Sequence, residues 1–504
     1  MSPQPERLET ESSSAISRRG LLGAAAAGAT ALAVPREAAA AGVRTQHRRL
    51  RELRRVDVAV VGAGLAGLTA AEQIQAEGRS VLVFEARNRV GGRTLNVDGG
   101  PGRLADGGGT WIGPTQDRIA AKAKKYGVGD FLSYTQGKTI YVRDGRRQEF
   151  EGLPVPAQAL PEVAKAITQL DQMASEVPRD GPWKAPHAQE WDGQTLETWK
   201  QGAVVSPDAR FLIDLGCRAV FVCEPKEISL LHVLFMISAA GNESTPGSFL
   251  RLISTSGGAQ ERHFAKGAQA ISQAMARALG RRVFLNAPVR RIAQHAKTVD
   301  VVCDRLSARA KRVIVAVPPA LQARLDFAPA LPAVRAQLLQ RWPQGTEIKY
   351  TVFYDKPFWR QDGYVGSVYS DQGPIVFTAD GSPADGSYGV MLAWIKAHDA
   401  RYWSQQPQGE RDQAVLRSLS SYYGEQALQP AKLLSRDWSA EEWTRGCFGA
   451  FGSPGMLTEY GEHIREPVGR VHWAGTETST LWYGYMDGAV RSGERAAAEV
   501  LERL

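Results

Sequence analysis

Apolar and polar positions divide the chain into distinct blocks. In "VDVAVVGAGLAGLTAAEQIQAEGRSVLVFEA" (56–86), a nearly unbroken apolar run is followed by glycines, a helical pattern and a second apolar run. Continuous apolar strands flanking a helix are expected where parallel strands are covered on both faces. This block therefore predicts a βαβ unit and an α/β fold. "RRVFLNAPVRRIAQ" (281–294) and "KRVIVAVPP" (311–319) predict further strands, the second ending at a proline pair. "EIKYTVFY" (347–354) alternates as a strand does. "HAQEWDGQTLETWKQ" (187–201) and "RFLIDLGCRAVFVCEPKEISLLHVLFMISAAG" (210–241) carry helical periodicity, and an amphipathic helix begins near Gly484. No internal repeat or convincing low-complexity linker interrupts these blocks.

Composition narrows the class. The 504 residues suffice for two or more domains, and 43% hydrophobic against 23% charged residues reads as a globular chain. The net charge is 61 − 53 = +8. Much of the local positive density lies in "RTQHRRLRELRR" (44–55), without the interleaved aromatics expected of a nucleic-acid surface. Four cysteines exclude a disulfide scaffold. Cys217 and Cys223, read on one helix, would stand about 9 Å apart, too far for a bridge. No cysteine or histidine spacing makes a zinc site.

"SRRGLLG" (17–23) sets paired arginines before an Ala/Gly-rich apolar run, followed by small residues at "EAAAAG". This resembles a twin-arginine export signal over 1–40, with a basic linker at 41–54. The expectation is therefore passage through the twin-arginine export machinery to the periplasm or beyond. The apolar run is too short for a secure membrane span.

The βαβ block carries Gly62-Ala-Gly64-Leu-Ala-Gly67. Gly62 permits the tight turn, Gly64 lets backbone approach a pyrophosphate, and Gly67 lets the helix pack on the strand. Glu85 ends the second strand, where a carboxylate can accept from ribose hydroxyls. A lone GxGxxG is weak, but the strand, helix, second strand and acid together point to dinucleotide binding. "RNRVGGRT" (87–94) follows, with backbone at Gly91 and Gly92 near the dinucleotide and Arg93 suited to a phosphate.

The C-terminal "VHWAGTETSTLWYGYMDGAVRSGERAAAEVL" (471–501) resembles the flavin-contacting end of the flavin amine oxidases, and most closely the monoamine oxidases. "GGGTWIGPTQDRI" (107–119), "RLISTSGGAQERHF" (251–264) and "GTEIKYTVFYDKPFWR" (345–360) agree in order, so the resemblance spans about 55–502. It implies a Rossmann-like FAD-binding domain assembled from about 55–130, 265–338 and 441–504. An α+β substrate domain would fill 131–264 and 339–440. The C-terminal membrane anchor of the animal enzymes has no counterpart after the terminal helix, so no stable membrane anchor is expected.

The resemblance also assigns roles. Gly62, Gly64, Gly67, Glu85, Arg87, Gly92, Arg93, Val289, Trp438, Cys447, Gly475, Thr476, Glu477 and Met486 would contact FAD, with Val289 near the adenine and Trp438 flanking the flavin. Lys349, which alone would read as a solvated strand lysine, would bond through water to flavin N5. Phe448 and Tyr485 would stand nearly parallel as a slot for the neutral amine, and Trp482 would be packing. Cys447, in "WTRGCFGAF" (443–451), matches the position that carries FAD through a thioether in animal monoamine oxidases. Ile253, Gln260, Tyr369 and Phe377 would line the substrate path.

The implied reaction is oxidative deamination. A hydride equivalent passes from the amine to flavin N5, water hydrolyses the imine to an aldehyde and ammonia, and dioxygen reoxidises the flavin to give hydrogen peroxide. Aromatic and aliphatic lining residues suit arylalkyl primary monoamines. Three alternatives stay open: a dehydrogenase passing electrons to a periplasmic redox protein, a polyamine or amino-acid oxidase, and a flavin-bearing binding protein without turnover. A homodimer is among the assemblies the sequence leaves open.

Overall fold

The structure is a computed structural model and describes residues 53–304 and 306–504. The expected export signal, and the basic linker up to residue 52, lie outside the described residues. Strand Leu53–Val61 pairs in parallel with Val81–Phe84 on one side and Ser307–Val315 on the other, in the register Val61↔Phe84 and Val61↔Val315. The eight-stranded sheet then adds Val283–Phe284, Val299–Cys303, Val289–Gln294, Asp326–Ala328 and Val471–Trp473. Strands far apart in sequence thus share one sheet, whose parallel centre, Leu53–Val61, Val81–Phe84 and the end of Ser307–Val315, is built from apolar runs covered on both faces.

Helix Leu65–Ala76 follows the first strand, and helix Met486–Leu501 packs across it. The two backbones approach closely: a Cβ on Gly493 would lie 2.3 Å from the Ala66 carbonyl oxygen. Gly62, at φ +103°, makes the turn into the first helix. A Cβ on Gly67 would lie 2.0 Å from the Gly62 carbonyl oxygen, so only glycine lets this helix seat.

A second sheet has seven strands, in the order Lys432–Asp437, Glu347–Tyr354, Gly389–Lys396, Phe377–Asp380, Tyr364–Ser370, Lys138–Arg143, Arg146–Glu151. Its second strand corrects one expectation. Glu347–Tyr354 does not alternate between core and solvent, since all eight of its residues are buried. Helices Leu160–Ser175, Pro207–Val220 and Leu230–Ala239 build a separate apolar core with Trp342, Trp482 and Tyr483.

The helical run 210–241 is broken. The helix ends at Val220, Val222 adopts φ +58°, and the chain restarts as a helix at Leu230 behind the Ser229 cap. Cys223 therefore lies outside the helix, and the Cys217 thiol reaches its carbonyl oxygen at 3.4 Å. All four cysteines are free. No helix among the described residues is long and apolar enough to cross a membrane, and no metal-binding cluster occurs among them.

Candidate active site

One cavity of about 870 Å³ runs from the glycine turn after the first strand to the second sheet. That is near the upper end of ligand pockets, roughly 300–1,000 Å³, and leaves room for a cofactor and a substrate together.

At one end the wall is the βαβ crossover. Gly62, Gly64, Glu85, Arg87, Gly92, Arg93 and Val289 all line it. Gly64 caps helix Leu65–Ala76, and a Cβ there would meet nothing within 4 Å, so the backbone is open to the cavity. Glu85 is pinned by the Ala63 amide at 2.8 Å and the Arg87 amide at 3.0 Å. Each carboxylate oxygen keeps a lone pair for a hydroxyl donor. A bare helix N-terminus, an open glycine and a fixed carboxylate at the strand end fit an adenine dinucleotide such as FAD.

From the C-terminal side come Gly475, Thr476 and Met486. Thr476 Oγ1 donates to the Tyr485 carbonyl at 2.9 Å, tying the short turn Thr476–Thr478 to the start of the terminal helix.

At the other end the second sheet supplies a transverse row. Tyr369 faces Phe377, Phe377 faces Trp394, and Trp394 faces Lys349, each on a neighbouring strand. Residues directly opposite share a face of the sheet, so register alone sets this row along the cavity. Ile253 and Gln260 close it from the helical side, and Phe448 and Tyr485 also line it. Tyr485 packs edge-on against Trp482 at 4.9 Å, while Phe448 presents a face to Lys396 Nζ at 4.6 Å. No ring contact joins Phe448 and Tyr485 among the described residues, and both line the cavity.

Lys349 is buried where the two ends meet. Its Nζ donates to the Gly108 carbonyl and to Thr110 Oγ1, both at 2.7 Å. Burial pulls its pKa down to about 8, against the opposing pull of the Asp106 and Glu347 carboxylates.

Three of the expected contact residues stand off the wall. Gly67 serves the helix seat described above. Trp438 is fully buried behind Cys447 and Phe448, with Nε1 donating to the Gly107 carbonyl at 3.2 Å. Glu477 is buried and paired with Arg93 at 2.5 Å, and it accepts from Gln344 at 3.1 Å. Burial opposes ionisation of Glu477, but Arg93 holds its carboxyl below the usual range. Arg93 in turn donates to Glu477 and to the Phe448 carbonyl, which fixes the Phe448 loop, while Arg93 itself lines the cavity.

Sequence reasoning missed a second charged pair on the wall. Glu347 and Lys396 face each other in strand register, 3.0 Å apart and almost wholly buried, and both line the cavity. Opposite charges at the ends of two apolar strands, "EIKYTVFY" and "GVMLAWIK", were the available signal. Trp394 was missed for the same reason, as one apolar residue among many.

Comparison with known proteins agrees with this geometry. The chain is 39% identical over 455 residues to a flavin-containing amine oxidase of Oncorhynchus mykiss, covering 89% of this chain and 86% of that one. It is 36% identical over 460 residues to flavin-containing amine oxidase B of Sus scrofa, covering 89% and 86%. Among solved structures, wild-type putrescine oxidase bound to putrescine superposes with a TM-score of 0.85 at 32% identity, covering 90% of this chain and 100% of that one. Cyclohexylamine oxidase from Brevibacterium oxydans IH-35A gives 0.83 at 33% identity, covering 89% and 99%. The family model for flavin containing amine oxidoreductase matches residues 65–501, and with a glycine cradle, a buried lysine and an aromatic chamber on one cavity, this chain belongs to that family of flavin-dependent amine-oxidising enzymes.

Proposed function

We propose that the enzyme oxidises arylalkyl primary monoamines to aldehydes, with release of ammonia and hydrogen peroxide. The row Tyr369–Phe377–Trp394–Lys349 carries this reading, because it sets an aromatic chamber directly beside a buried cation. When bound, FAD accepts the hydride equivalent of the amine and hands the electrons to dioxygen. Phe448 and Tyr485 exclude water and orient the neutral amine between their rings. Lys349, held by Gly108 and Thr110, places positive charge where negative charge develops on the reduced cofactor.

The structural likeness to putrescine oxidase raises a diamine as a second reading. A second ammonium group would call for a free carboxylate in the chamber. Neither carboxylate there carries an unbalanced charge: Asp380 accepts from Trp359, Arg360 and the Ser382 amide, and the Lys396 ammonium balances Glu347. That favours a substrate with one amine.

The same reading includes a thioether between Cys447 and FAD, supported by the thiol's place on the cavity wall. It also includes twin-arginine export, supported by "SRRGLLG" and the apolar run behind it. The test mixes anaerobic holoenzyme with phenethylamine, tyramine, cyclohexylamine and putrescine and follows the flavin absorbance. Fast bleaching by the first two, with peroxide on admitting air, is the expected result. Preferential bleaching by putrescine would overturn the substrate assignment. Reoxidation by a cytochrome but not by air would make the enzyme a dehydrogenase.

A further inference from the structure

Cys447 is not alone on its stretch of wall. Strand Cys447–Ala450 pairs with Gln344–Gly345, in the register Gly345↔Cys447, and Glu347 follows two residues later. Glu347 and Cys447 both line the cavity beside this strand pairing, and the Glu347 charge bears on the thiol. Glu347 is 1% exposed. Its Oε2 accepts no directed hydrogen bond, although Lys396 Nζ stands 3.0 Å away as its ion-pair partner. Lys396 is itself tethered by donation to the Ala219 carbonyl at 3.1 Å. A buried carboxylate with a spare lone pair, beside a thiol on a cofactor-sized cavity, is placed to take a proton.

We propose that Glu347 is the general base for covalent attachment of FAD to Cys447, an inference that rests on the thioether reading above. The Cys447 S–H bond breaks and its proton passes to the Glu347 carboxylate. The flavin 8α methyl group first gives up one proton to solvent, its C–H electron pair passing into the ring system, and Sγ then bonds to the 8α carbon with the electron pair of the broken S–H bond. The two electrons set free stay on the flavin ring, leaving it reduced. Dioxygen then removes those electrons with two protons as hydrogen peroxide and restores the oxidised cofactor.

A base is needed because the site works against the bare thiolate. Burial, reinforced by the Glu347 charge, pushes the Cys447 thiol well above its ordinary range. Thiolate is the nucleophilic form, so a thiol held protonated reacts only if its proton leaves as the new bond forms. Lys396 remains across the sheet to balance Glu347 before transfer, and its charge over the Phe448 face fixes the neighbouring ring.

The test uses the full chain prepared flavin-free and mixed with FAD. Samples are denatured over time and read by in-gel flavin fluorescence and intact mass. Wild type should gain the mass of FAD less two hydrogens. Glu347→Gln should bind FAD reversibly but attach it about a hundred-fold more slowly. Attachment at the wild-type rate would overturn the proposal, and so would faster attachment, which would mean that Glu347 only restrains the thiol. If Glu347→Gln does not hold FAD, Glu347→Asp decides: several-fold slower but complete attachment supports the base, and an unchanged rate overturns it. Wild type that releases all its flavin would instead sink the thioether reading, and this inference with it.

Discussion

The Lys349 ammonium group donates to Thr110 Oγ1 at 2.7 Å while standing 5.4 Å from the ring centre of Trp394. A strand residue and a loop residue 239 positions apart thus hold one cation at the junction of the cavity. With its pKa lowered to about 8, Lys349 is charged below that pH and neutral above it. Reoxidation of the reduced enzyme by dioxygen should therefore slow as pH rises through 8. Lys349→Met should lose the pH step and slow reoxidation on the order of a hundred-fold, while reduction by amine changes less. Stopped-flow traces of both half-reactions on either side of that pH make the comparison. An unchanged pH step in the variant would assign the titration to another group.

Cys447→Ser should bind FAD and release all of it on acid denaturation, whereas wild type keeps its flavin with the chain. The side chain is small, buried and packed with Leu95 and Trp438, so the substitution should leave the fold in place. Separating the denatured chain from free flavin by filtration reads the difference. Equal release from both proteins would leave Cys447 as a buried packing residue.

Gly64 and Gly67, three residues apart, should respond in opposite ways. Gly64→Val fills open space, so thermal stability should hold while FAD affinity falls. Gly67→Ala drives a methyl group into the Gly62 carbonyl and should cost about 3 kcal/mol of stability. Denaturant unfolding of the flavin-free chains, together with FAD titration, separates the two effects.

Glu477→Gln would leave Arg93 without its counter-charge beneath the Phe448 loop. Removing one partner of a buried pair costs about 3 kcal/mol. The loss should appear in unfolding midpoints and as a raised KM for amines, since Arg93 also holds the Phe448 carbonyl. A neutral outcome would show that the cavity's water compensates Arg93.

The βαβ unit was legible because each glycine there answers a local demand that a short window contains. Gly62 needs its positive φ and Gly67 its close contact, and both needs are visible within six residues. The chamber was legible as residue identities but not as geometry, because strand register is a long-range property. Glu347 and Lys396 are neighbours only once residues 347–354 and 389–396 pair antiparallel. Trp438 and Glu477 show the converse. Sequence placed them near the cofactor, yet Trp438 sits behind the wall and Glu477 spends its charge on Arg93. The break at Val222 was hidden because apolar residues continue through it, and hydrophobic periodicity does not register a left-handed turn.

Helix Met486–Leu501 lies across helix Leu65–Ala76, and strand Val471–Trp473 completes the edge of Ser307–Val315. The cradle opened by the first described strand is closed by residues made more than 400 positions later, from Gly475 to Met486. A growing polypeptide still on the ribosome therefore offers flavin only half a cradle. Cofactor loading belongs after translation has delivered the last helix, and a product cut short before residue 471 would be born unable to hold its flavin, however well its first βαβ unit folded.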